Sequence, residues 1–475
     1  MKFHPLTSVL LLLLVSITLQ ADTYTIVVSQ QTSNDTQWQK VVEALQKKHA
    51  GANVVHYDTN VNKALPTLQT QHPRYTCFVA TPAEASRQFV ADVHQLTRLY
   101  DQDPYTDTLW GILTGYDAAN ALKIAQHSEP LTIRKVASGT EVALGMCQEG
   151  LWYDELVQNK QVVKSPNGSP EQQKGPADTT HALANTLTDY KADLFVTSGH
   201  ATERNWQIGY RYRNGFFRSS RGKMFGETID KQRFEILSEN PKVFLPIGNC
   251  LMGHIDGPDA MALAWMNTVG VKQMIGYTVV TWYGYAGWGV LDYFVEQPGR
   301  YSLSEAFHVN QHALIHRLET NFDPTEQVVD ARSNRSVQLT PNAAGLKSGL
   351  TVNDGRGLMW DRDTVAFYGD PAWEARMSPQ TKAYDQSLVK AKNTYTFTIT
   401  PNRGVDSFKP INTNGAQRGW RPIIHLLPHR VRDVQVIEGQ ESNPVITDDF
   451  ILISNPRKCD PAKTYRVVFT ATVVE

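Results

Sequence analysis

Cysteine is scarce in this chain of 475 residues, which carries four: Cys77, Cys147, Cys250 and Cys459. A chain of this length with so few cysteines is not a disulfide scaffold. The sequence also lacks a CxxC pair and an HExxH motif, so it gives no support for a zinc site. We therefore predict no metal ligand among the functional residues.

The chain also lacks an excess of charge of either sign. Lysine and arginine number 46, aspartate and glutamate 47, and the formal net charge is −1. This balance gives no electrostatic case for a nucleic-acid partner or an anionic membrane surface. The length calls for two or more domains, and 41% hydrophobic residues are enough to pack their cores.

Long apolar runs are confined to the N-terminus, where Lys2 precedes "VLLLLLVSITL". The run is short for a membrane span and typical of an export signal. We predict a signal peptide over residues 1–21, with an uncleaved anchor as the alternative. No second long apolar segment follows, so we expect a secreted, periplasmic or cell-surface protein without membrane insertion after cleavage.

Strand and helix patterns alternate through most of the chain. Apolar runs such as "YTIVVS", "NVVHY" and "RYTCFVA" are separated by segments with helical periodicity. This alternation predicts an α/β fold with a mostly parallel sheet and helices on both faces. Residues 160–178 are rich in proline, glycine and charge, which indicates an exposed loop.

The last 85 or so residues have a different pattern, with short strands, frequent turn residues and no helical period. They predict an all-β module, an immunoglobulin-like sandwich, over residues 390–475. The preceding domain is expected to cover residues 22–376.

Two apolar strands end in reactive side chains. "DLFVTSGH" ends at His200, and "VFLPIGNC" ends at Cys250. The carboxyl ends of parallel strands meet at one edge of the sheet, where sites are commonly built. A thiolate is a nucleophile, and an imidazole can take the thiol proton and return it to a leaving amine. The backbone N–H groups of Cys250 and Ala201 are the candidate oxyanion donors. The alternatives are an inert core cysteine and a structural histidine.

The segment after Cys250 has the signals of a helix start. In "GPDAMALAWMNTVG", Pro258 suits the first turn and Asp259 the positive end of the helix. We expect a helix from Pro258, which would stabilise the thiolate if its N-terminus lies close to Cys250.

Three motifs resemble those of the gingipain-like cysteine peptidases, in a wider clan with caspases, legumain and clostripain. "TSGHATERNW" resembles the family's histidine motif, and "GNCLMGHIDGPDAMALAW" its cysteine motif. "AFYGDPAW" is similar to the segment that closes the catalytic domain. The resemblance covers roughly residues 22–376 and implies a caspase-like fold, with Cys250 as nucleophile and His200 as general base and acid. Ala201 departs from the glycine expected after the histidine, which puts the oxyanion hole in doubt.

The same resemblance suggests where substrate binds. "GYTVVTWYGYAGWG" follows the cysteine helix, and Trp282, Tyr283 and Trp288 are candidate pocket walls, unless they pack in the core. Gly199, beside the histidine, is a further candidate. A third catalytic residue is not identified: Glu149 and Glu155 are candidates that fit surface carboxylates better.

No cofactor is required for this chemistry. A structural calcium ion is the one addition left open, because "YDQDPYTD" places acids at positions 101, 103 and 107 without a recognised binding loop. We therefore predict an exported cysteine endopeptidase acting on peptide or protein substrates. The alternatives are an inactive relative that binds peptides or cell-surface material, and an acyl- or peptidyl-transferase.

Overall fold

The computed structural model describes residues 23–323 and 339–474. The predicted signal peptide lies outside the described residues. None of the helices in these two ranges is both long and apolar enough to cross a membrane.

Strands and helices are interspersed up to residue 368, and only strands and short turns of helix follow. The strands are β1 (Tyr24–Ser29), β2 (Asn53–Tyr57), β3 (Tyr75–Val79), β4 (Leu109–Leu113), β5 (Leu131–Ile133), β6 (Lys135–Ser138), β7 (Glu149–Tyr153), β8 (Lys160–Lys164), β9 (Glu171–Lys174), β10 (Leu194–Thr197), β11 (Ala201–Thr202), β12 (Asn205–Gln207), β13 (Phe216–Ser220), β14 (Lys223–Glu227), β15 (Arg233–Ile236), β16 (Lys242–Pro246), β17 (Val271–Tyr277), β18 (Val365–Tyr368), β19 (Ala375–Met377), β20 (Tyr384–Ala391), β21 (Thr394–Pro401), β22 (Ile423–Leu426), β23 (Val431–Glu438), β24 (Val445–Ile446), β25 (Phe450–Ile453) and β26 (Tyr465–Val473). The helices are α1 (Gln30–Asn34), α2 (Thr36–Lys48), α3 (Leu65–Gln71), α4 (Arg87–Leu96), α5 (Ala118–Gln126), α6 (Thr180–Thr188), α7 (Met261–Thr268), α8 (Tyr285–Phe294), α9 (Leu303–Asn321), α10 (Ala343–Lys347) and α11 (Val352–Arg362).

A mostly parallel sheet of twelve strands, flanked by helices, organises the described part of the chain. Its strand order is β2-β1-β3-β4-β18-β17-β16-β10-β6-β7-β8-β9. The α/β prediction is confirmed at this level. Strands β17 and β18 pair antiparallel, as do the outer strands β7, β8 and β9.

The first strand and helix show why the sequence folds this way. All six residues of β1 are buried, which suits a strand covered on both faces. In α2 the apolar residues face the core at helical spacing, while the Asp35 carboxylate accepts hydrogen bonds from the Gln37 and Trp38 N–H groups at the N-terminus. The burial of β1 and the capping of α2 therefore both agree with the elements that the sequence pattern predicts.

The C-terminal strands form two separate antiparallel sheets, β20-β21-β26-β23 and β22-β25-β24. Side chains of both sheets, among them Phe397, Ile451 and Phe469, share one buried cluster, the arrangement of a β-sandwich. Other residues of the second sheet, including Ile424 and Leu452, join the core of the large sheet. The boundaries at 376 and 390 stay predictions.

Two local predictions are wrong. Residues 160–178 contain strand β8 and the edge strand β9 and are not one loop, because β8 pairs antiparallel with β7 and β9 with β8. Helix α7 begins at Met261, so Pro258 does not occupy its first turn. The Met261 N–H instead donates to the Glu203 carbonyl at 2.7 Å, which holds the helix start on the hairpin after His200.

Candidate functional site

The strands that precede His200 and Cys250 are parallel neighbours. Strand β10 pairs with β16 from Leu194 opposite Val243 to Thr197 opposite Pro246. The pairing continues one residue further, where the Ile247 N–H donates to the Thr197 carbonyl at 3.0 Å. His200 and Cys250 follow within a few residues, so both leave the same edge of the sheet.

Asn249 joins the two loops beyond these strand ends. Its side chain is fully buried. The amide oxygen accepts from the Thr197 hydroxyl at 2.6 Å, and the amide nitrogen donates to the Gly199 carbonyl at 2.9 Å. The residue before Cys250 is thereby fixed to the residue before His200. No sequence motif identified this contact, because the amide acts between segments 50 residues apart.

Close packing behind the loops depends on glycine. A Cβ at Gly248 would lie 2.6 Å from the Ser198 Oγ and 3.0 Å from the Trp288 Nε1. The indole N–H of Trp206 donates to the Ser198 carbonyl at 2.8 Å, from within the hairpin that follows His200. Both loops therefore rest on indole rings, with little room for larger residues.

The Cys250 thiol is partly exposed and contacts the loop after β17. Its Sγ accepts a hydrogen bond from the Thr281 N–H at 3.3 Å, and the Thr281 hydroxyl donates to the Asn249 carbonyl at 3.1 Å. Within residues 23–323 and 339–474, the Cys250 N–H donates to no group. Leu251 has φ of +60°, an uncommon conformation for a non-glycine residue. The thiol also donates to the Thr281 carbonyl at 3.7 Å, so Thr281 holds the sulfur through both of its backbone groups.

His200 is exposed, and its ring stacks on Tyr210, with ring centroids 4.7 Å apart. In the described part of the chain, no hydrogen bond joins this ring to the Cys250 Sγ. Gly199, which precedes the histidine, has φ of +92°, a conformation that favours glycine. The structure thus brings the two loops together and leaves the ring resting on tyrosine.

Ala201 does not carry the strain that its departure from glycine suggested. It is absent from the residues with positive φ and lies in β11, opposite Trp206. Alanine therefore does not have to adopt a left-handed backbone conformation at this position. The substitution gives no reason to consider the loop distorted.

Glu155 lies beside the same loop, and the expectation that it is a surface carboxylate is wrong. Its Oε1 accepts from the Thr140 hydroxyl at 2.7 Å, and its Oε2 is 3.3 Å from where a Cβ at Gly199 would lie. Burial raises the pKa of Glu155 to about 7. The available signal was its position after β7, at the edge from which His200 also leaves. Glu149 lies in β7 itself and accepts from the Tyr190 hydroxyl at 3.4 Å.

The three aromatic candidates for the substrate pocket differ in exposure. Trp282 is 38% exposed, and the Arg356 guanidinium lies 4.8 Å from its ring centroid. Tyr283 is only 4% exposed, and its hydroxyl donates to Asp354 at 3.0 Å. Trp288 is buried in α8 beneath Gly248. Core packing alone accounts for Tyr283 and Trp288, whereas Trp282 is open to a ligand.

The acids of the predicted calcium segment do come together. Ligand oxygens of Asp101, Asp103 and Asp107 lie within 4.8 Å of one another. Each carboxylate also accepts a backbone N–H, from Asp103, Tyr105 and Tyr100 respectively. Burial and the neighbouring acids raise the pKa of Asp107 to about 9 and that of Asp103 to about 6. Calcium binding there stays a prediction.

Comparison with known proteins gives a distant likeness of fold. Neither a family model nor a curated protein matches the chain. The crystal structure of the Arg-specific cysteine proteinase gingipain R (RgpB) matches with a TM-score of 0.43 and 10% identity, covering 96% of this chain and 99% of that one. The complex of Porphyromonas gingivalis RgpB pro- and mature domains matches with a TM-score of 0.43 and 11% identity, covering 95% and 100%. At these values we draw neither the activity nor the site residues from the likeness.

Proposed function

We propose that this chain is a cysteine peptidase that hydrolyses peptide bonds, with Cys250 as the nucleophile and His200 as the general base and acid. The supporting observation is the Asn249 side chain, which bonds both loops at the carboxyl edge of β10 and β16. A buried amide in this position fixes the backbone of one loop against the other. Such preorganisation is what a nucleophile and base on separate segments require.

The reaction begins with a movement of the His200 ring from Tyr210 toward the Cys250 Sγ. The imidazole takes the thiol proton, and the thiolate attacks the substrate carbonyl carbon. The C–N bond then breaks as His200 returns the proton to the leaving amine. Water, deprotonated by the same imidazole, hydrolyses the resulting thioester and regenerates the thiol.

The backbone supplies the remaining groups of the proposed mechanism. The Cys250 N–H and the Ala201 N–H are the oxyanion donors, and the former is free of other acceptors in the described ranges. Trp282 and Gly199 bind substrate, since Trp282 is exposed and next to Thr281, which contacts the nucleophile. Glu155 supports the His200 loop from behind. Tyr283 contributes by packing under Trp282, with the two rings 5.6 Å apart.

A peptide-binding protein without catalysis is the second candidate. It is favoured by the separation of the reactive groups, because His200 stacks on Tyr210 and the Cys250 Sγ is bonded to Thr281. In this case a peptide would bind at the same two loops, and the thiol would stay protonated.

Labelling with peptidyl acyloxymethyl ketones separates the two candidates. We expect covalent modification of Cys250 alone, since Cys77, Cys147 and Cys459 are buried. The His200→Ala variant should label at least about 100-fold more slowly, because a general base contributes about 10²- to 10⁴-fold. Mass spectrometry of peptide fragments measures both.

Iodoacetamide provides the matched control, since it reports accessibility of the thiol without peptide recognition. Its rate at Cys250 should also fall in the His200→Ala variant, because alkylation needs the thiolate that the imidazole generates. Ketone labelling that is unchanged by His200→Ala, or no ketone labelling of an unaltered protein whose Cys250 reacts with iodoacetamide, would contradict the peptidase and favour the binding protein.

A further inference from the structure

Two buried histidines lie next to each other on α9, an element that carries neither of the proposed catalytic residues. His308 and His312 are 3% and 0% exposed. Their spacing of four residues places them one turn apart on the same face of the helix. Their Nε2 atoms are 2.9 Å apart. This is the spacing of paired zinc ligands on a helix, without the glutamate of the HExxH motif.

A carboxylate from the C-terminal region completes a cluster. Asp449 lies between β24 and β25, and one of its oxygens and one ring nitrogen of each histidine lie within 4.8 Å of one another. Phe450 stacks on His312 at 4.2 Å, and Tyr105 packs edge-on against the same ring at 5.6 Å. The cluster therefore lies where α9, the 100–107 segment and the C-terminal sheet meet.

The chemistry of the three side chains suits a metal ion. They offer two imidazoles and one carboxylate as ligands. Both rings are almost fully buried, and burial disfavours the charged imidazolium form. A divalent cation would compensate the single negative charge of an ionised carboxylate.

We propose that His308, His312 and Asp449 bind a zinc ion that joins α9 to the C-terminal sheets. Imidazole and carboxylate are ligands that zinc accepts, and three protein ligands leave one position for water. Nitrogens bound to a tetrahedral zinc are about 3.4 Å apart, so the two rings need to separate by only about half an ångström. Asp449 also lines a cavity of about 260 Å³ between the large sheet and the C-terminal region.

The outer ring nitrogens set the expected affinity. The Nδ1 atoms of both histidines are buried without a hydrogen-bond partner among the described residues. Zinc-bound histidines ordinarily donate this N–H to a second group, and losing one such partner weakens binding by about 10- to 100-fold. We therefore expect a site weaker than fully supported structural zinc sites, and one that dialysis against a chelator empties.

Zinc uptake by untagged protein carrying Cys250→Ala tests the proposal, since that variant removes the competing thiol. After chelator treatment and incubation with zinc sulfate, elemental analysis should find about one ion per chain. The melting temperature should rise by about 2 °C or more, because a ligand that binds only the folded state stabilises it. His312→Phe keeps the stacking and removes a ligand; Asp449→Asn tests the carboxylate if His312→Phe fails to fold.

Matched controls identify the site. His316→Gln alters the next histidine on the same helix, and Asp103→Asn alters the acidic segment that suits calcium; both should retain the zinc. Both His312→Phe and Asp449→Asn should weaken zinc binding by at least about 10-fold. Failure of the unaltered site to bind zinc, or zinc binding that survives both ligand variants, would overturn the proposal. Neither result bears on the peptidase, which the ketone labelling tests separately.

Discussion

At the scale of single residues, Asn249 lies in the loop after β16 and its side chain is hydrogen-bonded to the segment after β10. One amide satisfies the Thr197 hydroxyl and the Gly199 carbonyl, so it fixes the spacing between the segments that carry Cys250 and His200. Buried polar groups of this kind are expensive to leave unpaired. In the proposed peptidase, Asn249 is therefore a positioning residue that acts through the backbone of both loops.

Asn249→Ala should slow peptidyl-ketone labelling of Cys250 by about 100-fold, because small displacements of reacting groups cost rates of that order. It should also lower the free energy of unfolding by about 1–3 kcal/mol, the cost of unpaired buried polar groups. Labelling kinetics and urea denaturation measure the two effects.

The control is Asn205→Ala, which removes an amide that bonds Thr202 within an exposed hairpin. It should leave the labelling rate nearly unchanged. If Asn249→Ala lowered stability without slowing the ketone, the amide would support the fold without positioning the nucleophile.

Sequence reasoning predicted that His200 and Cys250 leave the same edge of the sheet because each follows an apolar strand, and the parallel pairing of β10 with β16 agrees. It missed Asn249 and misjudged Glu155, since hydrogen bonds across 50 residues leave no local pattern. Tyr283 shows the converse: an aromatic residue in a plausible pocket segment is buried and bonded to Asp354. Periodicity predicts burial of an element but not the direction of one ring in a loop.

At the scale of elements, the loop after β16 fits only because it contains glycine. Gly248 is pressed between Ser198 from the neighbouring loop and the Trp288 indole of α8. The strand ends can approach each other only as closely as this contact allows, so the position limits the geometry of the whole carboxyl edge.

Gly248→Ala should destabilise the protein by about 1–3 kcal/mol, the usual cost of overpacking a tight core site. It should also slow ketone labelling of Cys250. Gly257→Ala is the matched control, because no heavy atom lies within 4 Å of its added Cβ. Its stability should change by less than about 0.5 kcal/mol. Equal effects of the two substitutions in thermal unfolding would contradict the packing account.

The bounds of helices and strands can be predicted from the sequence where the burial pattern and the capping residues indicate the same bounds. The predicted bounds are wrong where these two signals disagree. β1 and α2 match their sequence patterns. Strand β8 and the edge strand β9 lie in the segment predicted to be a loop, because β9 is exposed along its length and no apolar alternation marks it. Before α7, the residues Pro258 and Asp259 have the sequence pattern of a helix start. The Asp259 carboxylate instead accepts the Arg221 N–H, and the helix begins after it.

At the scale of the molecule, a buried ion network attaches the C-terminal region to α8. Arg418 bonds Asp292 at 2.6 Å and also pairs with Glu296, while Arg421 bonds the second oxygen of Asp292 at 2.8 Å. All four side chains are almost fully buried. Burial and Asp292 raise the pKa of Glu296 to about 8, despite the Arg418 charge.

Arg418→Met should lower the free energy of unfolding by about 3–5 kcal/mol, since it leaves buried carboxylates without their partner. Arg466→Met, which breaks an exposed pair with Glu438, should have little effect. Urea denaturation followed by tryptophan fluorescence measures both. Similar midpoints for the two variants would show that the network does not couple the regions energetically.

The outermost strand of the large sheet has a consequence for association between copies. β9 reads Glu-Gln-Gln-Lys and is exposed throughout, and it ends the hydrogen-bonded series of twelve strands. An open edge offers unpaired N–H and C=O groups to any extended chain. A short, charged edge strand is a poor template for further pairing, so β9 opposes growth of the sheet at this edge.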